Sequence, residues 1–435
     1  MVHEWGTFTV LQDSHGEPIP GVNINEETLP AFVHRLAPNL APESNELAPV
    51  FNPSRYSTYV NRRGKGIRRG YRLAIMRMET PIIYFYPPGD EQMTLDVSVQ
   101  FRKGWLSEWY PDAENKSPGY PEALGEDAPG SLTWKDLKVG VESEIPRTDE
   151  HVWLAPREVD SARVQTSGEQ PQTEQYLFYR GVAQLRSPIR VVTEDNGKRL
   201  DLWNQPQPGT KGEQPINDLW LADIRPDGKV AFRTIDSVVI ESASAKALTR
   251  TAGSFEEGEY DTANLAQLRT SMHEAIMSAG LFEDEATAML NTWELSYFKS
   301  AGMRLFFILP DAWTDYQLPL KISEPADITR VMIGRVELIT QQQHELLSAI
   351  AAGPASTPSW LTERLDKVPP ELRTSLWQDL QTGARKLSTL EDFEVPADYK
   401  AYINLGRFRD AIVLSGARDN GALAQFAKNY RIALN

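Results

Sequence analysis

The chain has 435 residues, 41% of them apolar, a formal charge of -15 and no cysteine. Absence of cysteine excludes disulfides, cysteine-ligated zinc and a cysteine nucleophile. The acidic balance argues against general nucleic-acid binding, which needs a basic face. The length suits two or three domains, or one large β domain with an appendage, and no apolar run reaches the roughly 18 residues of a membrane-spanning helix.

Residues 2–12 alternate in the manner of a strand, with Val2, Glu4, Gly6, Phe8 and Val10 on one face and His3, Trp5, Thr7, Thr9 and Leu11 on the other. Glu4 thus falls on the more apolar face. Residues 17–60 are rich in Pro, Asn and Glu and read as loop, with a short ordered piece at 29–36. From Arg62 to Arg77 there are seven basic residues and no acidic one, interleaved with glycines, a local inversion of charge in an acidic chain.

Met76 to Tyr86 is a long apolar and aromatic run that reads as a central strand buried on both faces, and it contains one carboxylate, Glu79. Residues 93–101 alternate, and residues 104–112 continue them with Trp105, Trp109, Tyr110, Glu108 and Asp112. An aromatic strand followed about ten residues later by an aliphatic one recurs at 176–179 with 189–192 and at 305–308 with 318–322. These pairs are expected to be three equivalent hairpins. A further hairpin is expected at 219–235 around Pro226-Asp227-Gly228.

The period changes near 261. A helix carrying Leu265, Leu268, Met272 and Ile276 stops at Gly280, and a second, opened by Glu283, Asp284 and Glu285, buries Met289, Trp293 and Tyr297. Residues 330–339 are a last strand, and Thr340 to Gln343 is a capping box. Helices are expected at 359–367, 370–386, 397–405, 407–415 and 420–432. The expected fold is α+β, with an antiparallel β-sandwich-like core at 1–340, a helical hairpin inserted at about 261–300, and a C-terminal helical region at 341–435.

The set His3-Glu4-Trp5-Gly6-Thr7-Phe8-Thr9, Met78 to Tyr86, Trp109-Tyr110-Pro111, Leu177 to Gly181 and Val331 to Arg335 resembles a family of uncharacterised bacterial proteins that are usually expected to be exported. The resemblance spans about residues 2–340. It implies a periplasmic or extracellular location and a trimmed leader, and it carries over no activity and no catalytic residue.

Standard catalytic motifs are absent: no G-x-S-x-G, no phosphate-binding loop, no H-E-x-x-H. Glu79, Glu4 and Glu108 are carboxylates embedded in apolar strands. Desolvation raises a carboxylate pKa, so such a group could serve as a general acid, and two flanking a groove would suit glycoside hydrolysis. The plainer reading of Glu79 is an ion pair with Arg77 or a loop arginine. His3 and Glu4 have the chemistry of metal ligands, although six scattered histidines argue against a multi-histidine site. Trp105, Trp109 and Tyr110 could stack on sugars or simply fill a core. Arg62, Arg63, Arg68 and Arg69 could grip an anionic polymer or fold against the acidic body. Two functions remain: an exported binding protein that holds a polysaccharide, an anionic polymer or a protein partner, and a carboxylate-based hydrolase of extracellular glycans. No cofactor can be named, and the oligomeric state is not legible.

Overall fold

The computed structural model describes residues 1–22, 29–36, 74–89, 91–120, 124, 129–206, 212–242, 245–353, 397–406 and 408–429. The protein is a mixed α+β chain with several antiparallel sheets and C-terminal helices. It divides into two compact units. The first comprises Met1–Val22, Thr28–Pro38 and Leu73–Ile339, and the described part of the second lies within Thr340–Asn435.

The first unit is built on a nine-stranded sheet. Its strands in chain order are β1 (Val2–Gln12), β2 (His34–Arg35), β3 (Met76–Phe85), β4 (Gly104–Tyr110), β5 (Leu177–Ala183), β6 (Leu219–Ile224), β7 (Val230–Ile235), β8 (Gly302–Ile308) and β9 (Ile328–Leu338). They lie in the order β7-β6-β8-β9-β1-β3-β5-β4-β2. Every residue of β1, β3, β4 and β5 is buried. That explains why these strands read as near-continuous apolar runs.

One face of this sheet carries Val2, Phe8, Val10, Met78, Ile83, Leu177, Tyr179, Phe307 and Val336. It packs on a second sheet through Val97, Val99, Phe101, Leu132, Trp134 and Val139. The opposite face carries Trp5, Ile82, Tyr84, Phe178, Trp220, Phe306 and Ile333 and packs on helices. These are α1 (Asn264–Ser278) and α2 (Glu283–Thr292), followed by a π-helical turn at Glu294–Lys299. Leu268, Met272, Ile276, Met289, Trp293 and Tyr297 form their buried side. At full burial each large apolar side chain stabilises by about 1.5–3 kcal/mol, so the two cores dominate the energetics of the unit.

The hairpin at 219–235 forms as expected, Leu219 opposite Ile235 and Ile224 opposite Val230. The three aromatic–aliphatic pairs are not hairpins. In each, the aromatic strand lies in the main sheet and the aliphatic strand in another: Met93–Phe101 and Leu320–Ile322 in the second sheet, and Ile189–Glu194 in a three-stranded one. The reason is steric. β3, β5 and β8 are flanked on both edges, so the next strand in sequence has no edge to pair with. Period-two alternation is the same for a strand that pairs and for one that packs face to face. Residues 104–110 likewise do not continue 93–101: the chain turns at Lys103, whose φ is +53°, and returns to the main sheet. β1 and β9 pair in parallel, Val2 opposite Ile328 through Gln12 opposite Leu338, an exception to the expected antiparallel pattern.

The second unit opens on a helix at Gln341–Ala352, capped reciprocally by Thr340 and Gln343. Helices at Ala397–Asn404, Arg409–Gly416 and Gly421–Asn429 bury Tyr399, Tyr402, Ile412 and Phe426. The helices expected at 359–367 and 370–386 lie outside the described residues.

Gly334 shows how tightly the sheet is packed. A Cβ there would sit 2.4 Å from the Phe307 ring, whereas one at Gly258 would meet nothing within 4 Å. Gly334→Ala is therefore expected to lower stability by about 1–3 kcal/mol in chemical denaturation, and Gly258→Ala to stay within about 0.5 kcal/mol of the parent.

Candidate functional site

A sheet buried on both faces must neutralise any charge it carries. Glu4 is fully buried on the face that meets the second sheet. Arg330 stands directly opposite it on β9, donates from Nε to Glu4 Oε2 at 2.6 Å and from Nη1 to Asp315 Oδ1 at 2.9 Å. Tyr179 donates its hydroxyl to the other Glu4 oxygen. Burial alone would pull the Arg330 guanidinium down, but the Glu4 charge, with the hydrogen bonds to Asp315 and Glu4, holds it above its ordinary range. Burial, then the Glu4 charge, push the Tyr179 phenol well up.

The helix-side face is divided. Beneath α1 and α2 it is mostly apolar, the exception being His3, which meets Glu285 of α2. Beyond Tyr297 it becomes a field of charge: Arg77, Arg180, Arg304 and Arg335 with Glu79, Glu108 and Glu337, none more than 7% exposed. The order across the strands alternates in sign. Arg335 on β9 lies 3.5 Å from Glu79 on β3, Arg180 on β5 follows, and Glu108 stands opposite Arg180 on β4. Arg335 also approaches Glu337 at 3.2 Å. Arg304 pairs with Glu337 at 3.4 Å and donates to the carbonyls of Ser296, Tyr297 and Ser300 at 2.7–3.0 Å. It thereby satisfies carbonyls that the end of a helix leaves open.

Bulges gather at the same level. The β1–β3 register slips between Trp5 and Thr7, the β3–β5 register between Phe178 and Gly181, and the β5–β4 register between Arg180 and Gly181. Thr80 has a φ of +42°, strained for a β-branched residue. Its hydroxyl accepts from Arg180 Nε and Nη2 at 3.0 and 2.9 Å. At Gly6 a Cβ would meet Pro81 Cα at 3.0 Å. Bulges re-aim side chains, and here they turn Glu79, Thr80 and Arg180 toward one another. Tyr297 caps the field: its hydroxyl meets that of Thr7, its ring lies under the Arg335 guanidinium, and burial pushes its phenol up.

A second polar group lies elsewhere on the helix side. His3 Nδ1 lies 2.8 Å from Glu285 Oε2, with both side chains buried. Tyr86 donates to Glu285 Oε1 at 2.9 Å and the Phe282 amide to Oε2 at 2.7 Å. Burial and the Glu285 charge push the Tyr86 phenol up.

The residues picked out by sequence are thus dispersed. Glu4 and Glu79 project from opposite faces of the sheet, and the strand carrying Arg180 lies between Glu79 and Glu108. His3 and Glu4 also point to opposite faces, so they cannot share a metal. Among the described residues no group of three or more histidines and carboxylates gathers for one. Trp105, Trp109 and Tyr110 are core side chains, at most 7% exposed. Trp105 Nε1 donates to Pro118 O at 2.8 Å, and burial pushes the Tyr110 phenol up to about 12. They make no open platform. Glu79 lies 3.5 Å from Arg335, an arginine of β9. Arg62, Arg63, Arg68 and Arg69 lie outside the described residues. Sequence reading missed Arg180, Arg304 and Arg330 and gave Arg335 no part in a site. Arginine in a run that otherwise reads as fully buried strand was the available signal.

No family model matches the chain, and no curated protein matches it. Among solved structures it is similar to one described as "Fcho1 Mu homology domain (Danio Rerio) with bound Eps15 peptide", with a TM-score of 0.25, 6% identity, and coverage of 78% of this chain and 93% of that chain. A likeness at that level carries no argument here. Among the described residues no helix is long and apolar enough to cross a membrane.

Two outcomes follow from this site. Glu4→Gln leaves Arg330 buried without its main counter-charge and is expected to cost about 3–5 kcal/mol in denaturant unfolding. Tyr84, Tyr176 and Tyr179 are fully buried and raised, by burial first. Below about pH 10, the ordinary tyrosine value, the phenols are neutral folded or unfolded and their contribution is whole. Above it the unfolded chain loses phenolic protons that the folded chain keeps, so stability falls as pH rises. An alkaline absorbance titration should show these tyrosines ionising together with loss of the circular dichroism signal.

Proposed function

We propose that this chain is an exported, envelope-associated binding protein, without catalytic activity of its own, that has a sandwich-like β core and holds an acidic polymer through its arginine-rich stretch at 62–77. The observation that supports the reading is that seven basic residues and no acidic one fall between Arg62 and Arg77 in a chain of formal charge -15. Arginine forks match carboxylate and phosphate oxygens. The hydrolase reading is less well supported, because Glu4 and Glu79 do not face one cleft and each is matched to an arginine. Export rests on the resemblance carried by the motifs at 3–9 and 78–86.

The binding reading predicts saturable binding of an acidic polysaccharide such as polygalacturonate, weakening steeply as salt rises, with a neutral glucan not bound. Replacing Arg62, Arg63, Arg68 and Arg69 together by serine should lower that affinity at least severalfold at unchanged thermal stability. Equal affinity for acidic and neutral polymers, indifferent to salt, would overturn it.

A further inference from the structure

The three-stranded sheet is formed by Ile189–Glu194, Arg199–Asn204 and Ala247–Ala252, with Arg199–Asn204 in the middle. Alternation divides its side chains between two faces. Ile189, Val191, Leu200 and Leu202 turn inward and join the core between the sheets. Arg190, Asp201 and Trp203 therefore turn outward. Trp203 belongs to neither core and is partly exposed, whereas every other tryptophan among the described residues is buried. Arg190 stands directly opposite it, with Cζ over the indole at 5.8 Å from the ring centroid. On the other side the register places Ala247, which is exposed and too small to cover the indole.

Neighbouring rows of this face differ in how their charge is met. One row along, Asp201 Oδ1 takes Arg199 Nε at 3.1 Å and Arg250 Nε at 3.2 Å, so that row is matched within the sheet. In the Trp203 row the Arg190 guanidinium makes no hydrogen bond among the described residues. The Glu17 carboxylate is 3.9 Å from it, and Glu17 already accepts from Arg186 at 2.8 Å. An ion pair that long and that exposed contributes little. The Arg190 side chain is 35% exposed. Gly16 fixes its stem, because a Cβ there would lie 2.3 Å from Arg190 Cγ. The guanidinium is thus held at the surface, beside an open indole, with its donors facing water.

We infer that Trp203 and Arg190 form a platform for one uronic-acid residue of an acidic polysaccharide: the C–H face of the sugar ring stacks on the indole, and the sugar carboxylate accepts from the Arg190 guanidinium. The face of an indole is apolar and electron-rich, which suits C–H bonds, and the planar guanidinium fork matches a carboxylate. The inference rests on the binding reading above and adds, to the basic stretch at 62–77, a contact on the folded sheet. A polyanion without sugar rings engages only the charged half of the platform. That gives the protein a preference that a basic stretch alone does not supply.

Affinities of the full chain for polygalacturonate and for polyglutamate, matched in length and charge, would be measured by titration calorimetry at fixed salt. The parent should bind polygalacturonate about fivefold more tightly, the size of an aromatic contact. Trp203→Ala should lose that preference by weaker binding of polygalacturonate alone, at an unchanged melting temperature. Trp203→Leu keeps the strand covered and tests the same point should the alanine chain fail to fold. Arg190→Gln should weaken polygalacturonate severalfold and make its binding less steep in salt. A folded Trp203 variant that keeps the parent's preference, or a parent that has none, would overturn the platform. Serine at Arg62, Arg63, Arg68 and Arg69 separates the two readings. If it abolishes binding of both polymers while Trp203→Ala changes nothing, the platform fails and the binding reading stands. If it changes nothing while Trp203→Ala removes the preference, the platform stands and the basic stretch is not the contact.

Discussion

The constraint on which the structure depends is that its central sheet is covered on both faces, so every charge on it has to be matched within the protein. An isolated buried carboxylate or guanidinium is far costlier than any single hydrogen bond can offset. The chain meets this by placing opposite charges on neighbouring strands. Glu4 and Arg330 are direct cross-strand partners on one face, and Glu79, Arg335, Arg180 and Glu108 alternate on the other. The strand order is specified by these matches as well as by apolar packing. Moving β9 by one residue against β1 would separate Glu4 from Arg330 and turn Arg335 to the wrong face.

The same constraint explains the division of the helix-side face. α1, α2 and the Trp293 that follows bring Leu268, Met272, Met289 and Trp293 onto Trp5, Ile82 and Phe306, and there the sheet is apolar apart from His3, which Glu285 meets. The helical layer ends at the π-helical turn, where Arg304 closes the open carbonyls and Tyr297 faces Thr7. From that boundary on, the strands carry charge, and the bulges at Gly6, Thr80 and Gly181 concentrate it. Such a concentration is expensive to build for stability alone, because well-packed apolar side chains of similar volume are often no less stable.

Much of this was legible in sequence, and the limits are physical. Alternation placed Glu4 on the apolar face of β1 and His3 on the other, which is what the fold shows. The capping box at Thr340 and the turn at Pro226-Asp227-Gly228 were readable because they are local chemistry. Strand partners were not. The three aromatic–aliphatic pairs looked like hairpins because alternation does not record whether a neighbour is beside a strand or across a core. Glu285 read as an acid suited to the start of α2, yet it turns inward to His3, 282 residues away in sequence. Glu79 stood out as a lone carboxylate in an apolar run, but Arg335, 3.5 Å from it, lies on a strand that no local pattern connects to it.

The most direct test is whether the buried carboxylates perform chemistry. Acidic and neutral glycans would be incubated with the parent chain and with Glu79→Gln, with release of reducing ends and binding measured on the same samples. The account predicts no release from any glycan by either chain, together with saturable, salt-sensitive binding of the acidic ones by the parent. Release by the parent that disappears in a folded Glu79→Gln chain would contradict it and make this charged field an active site.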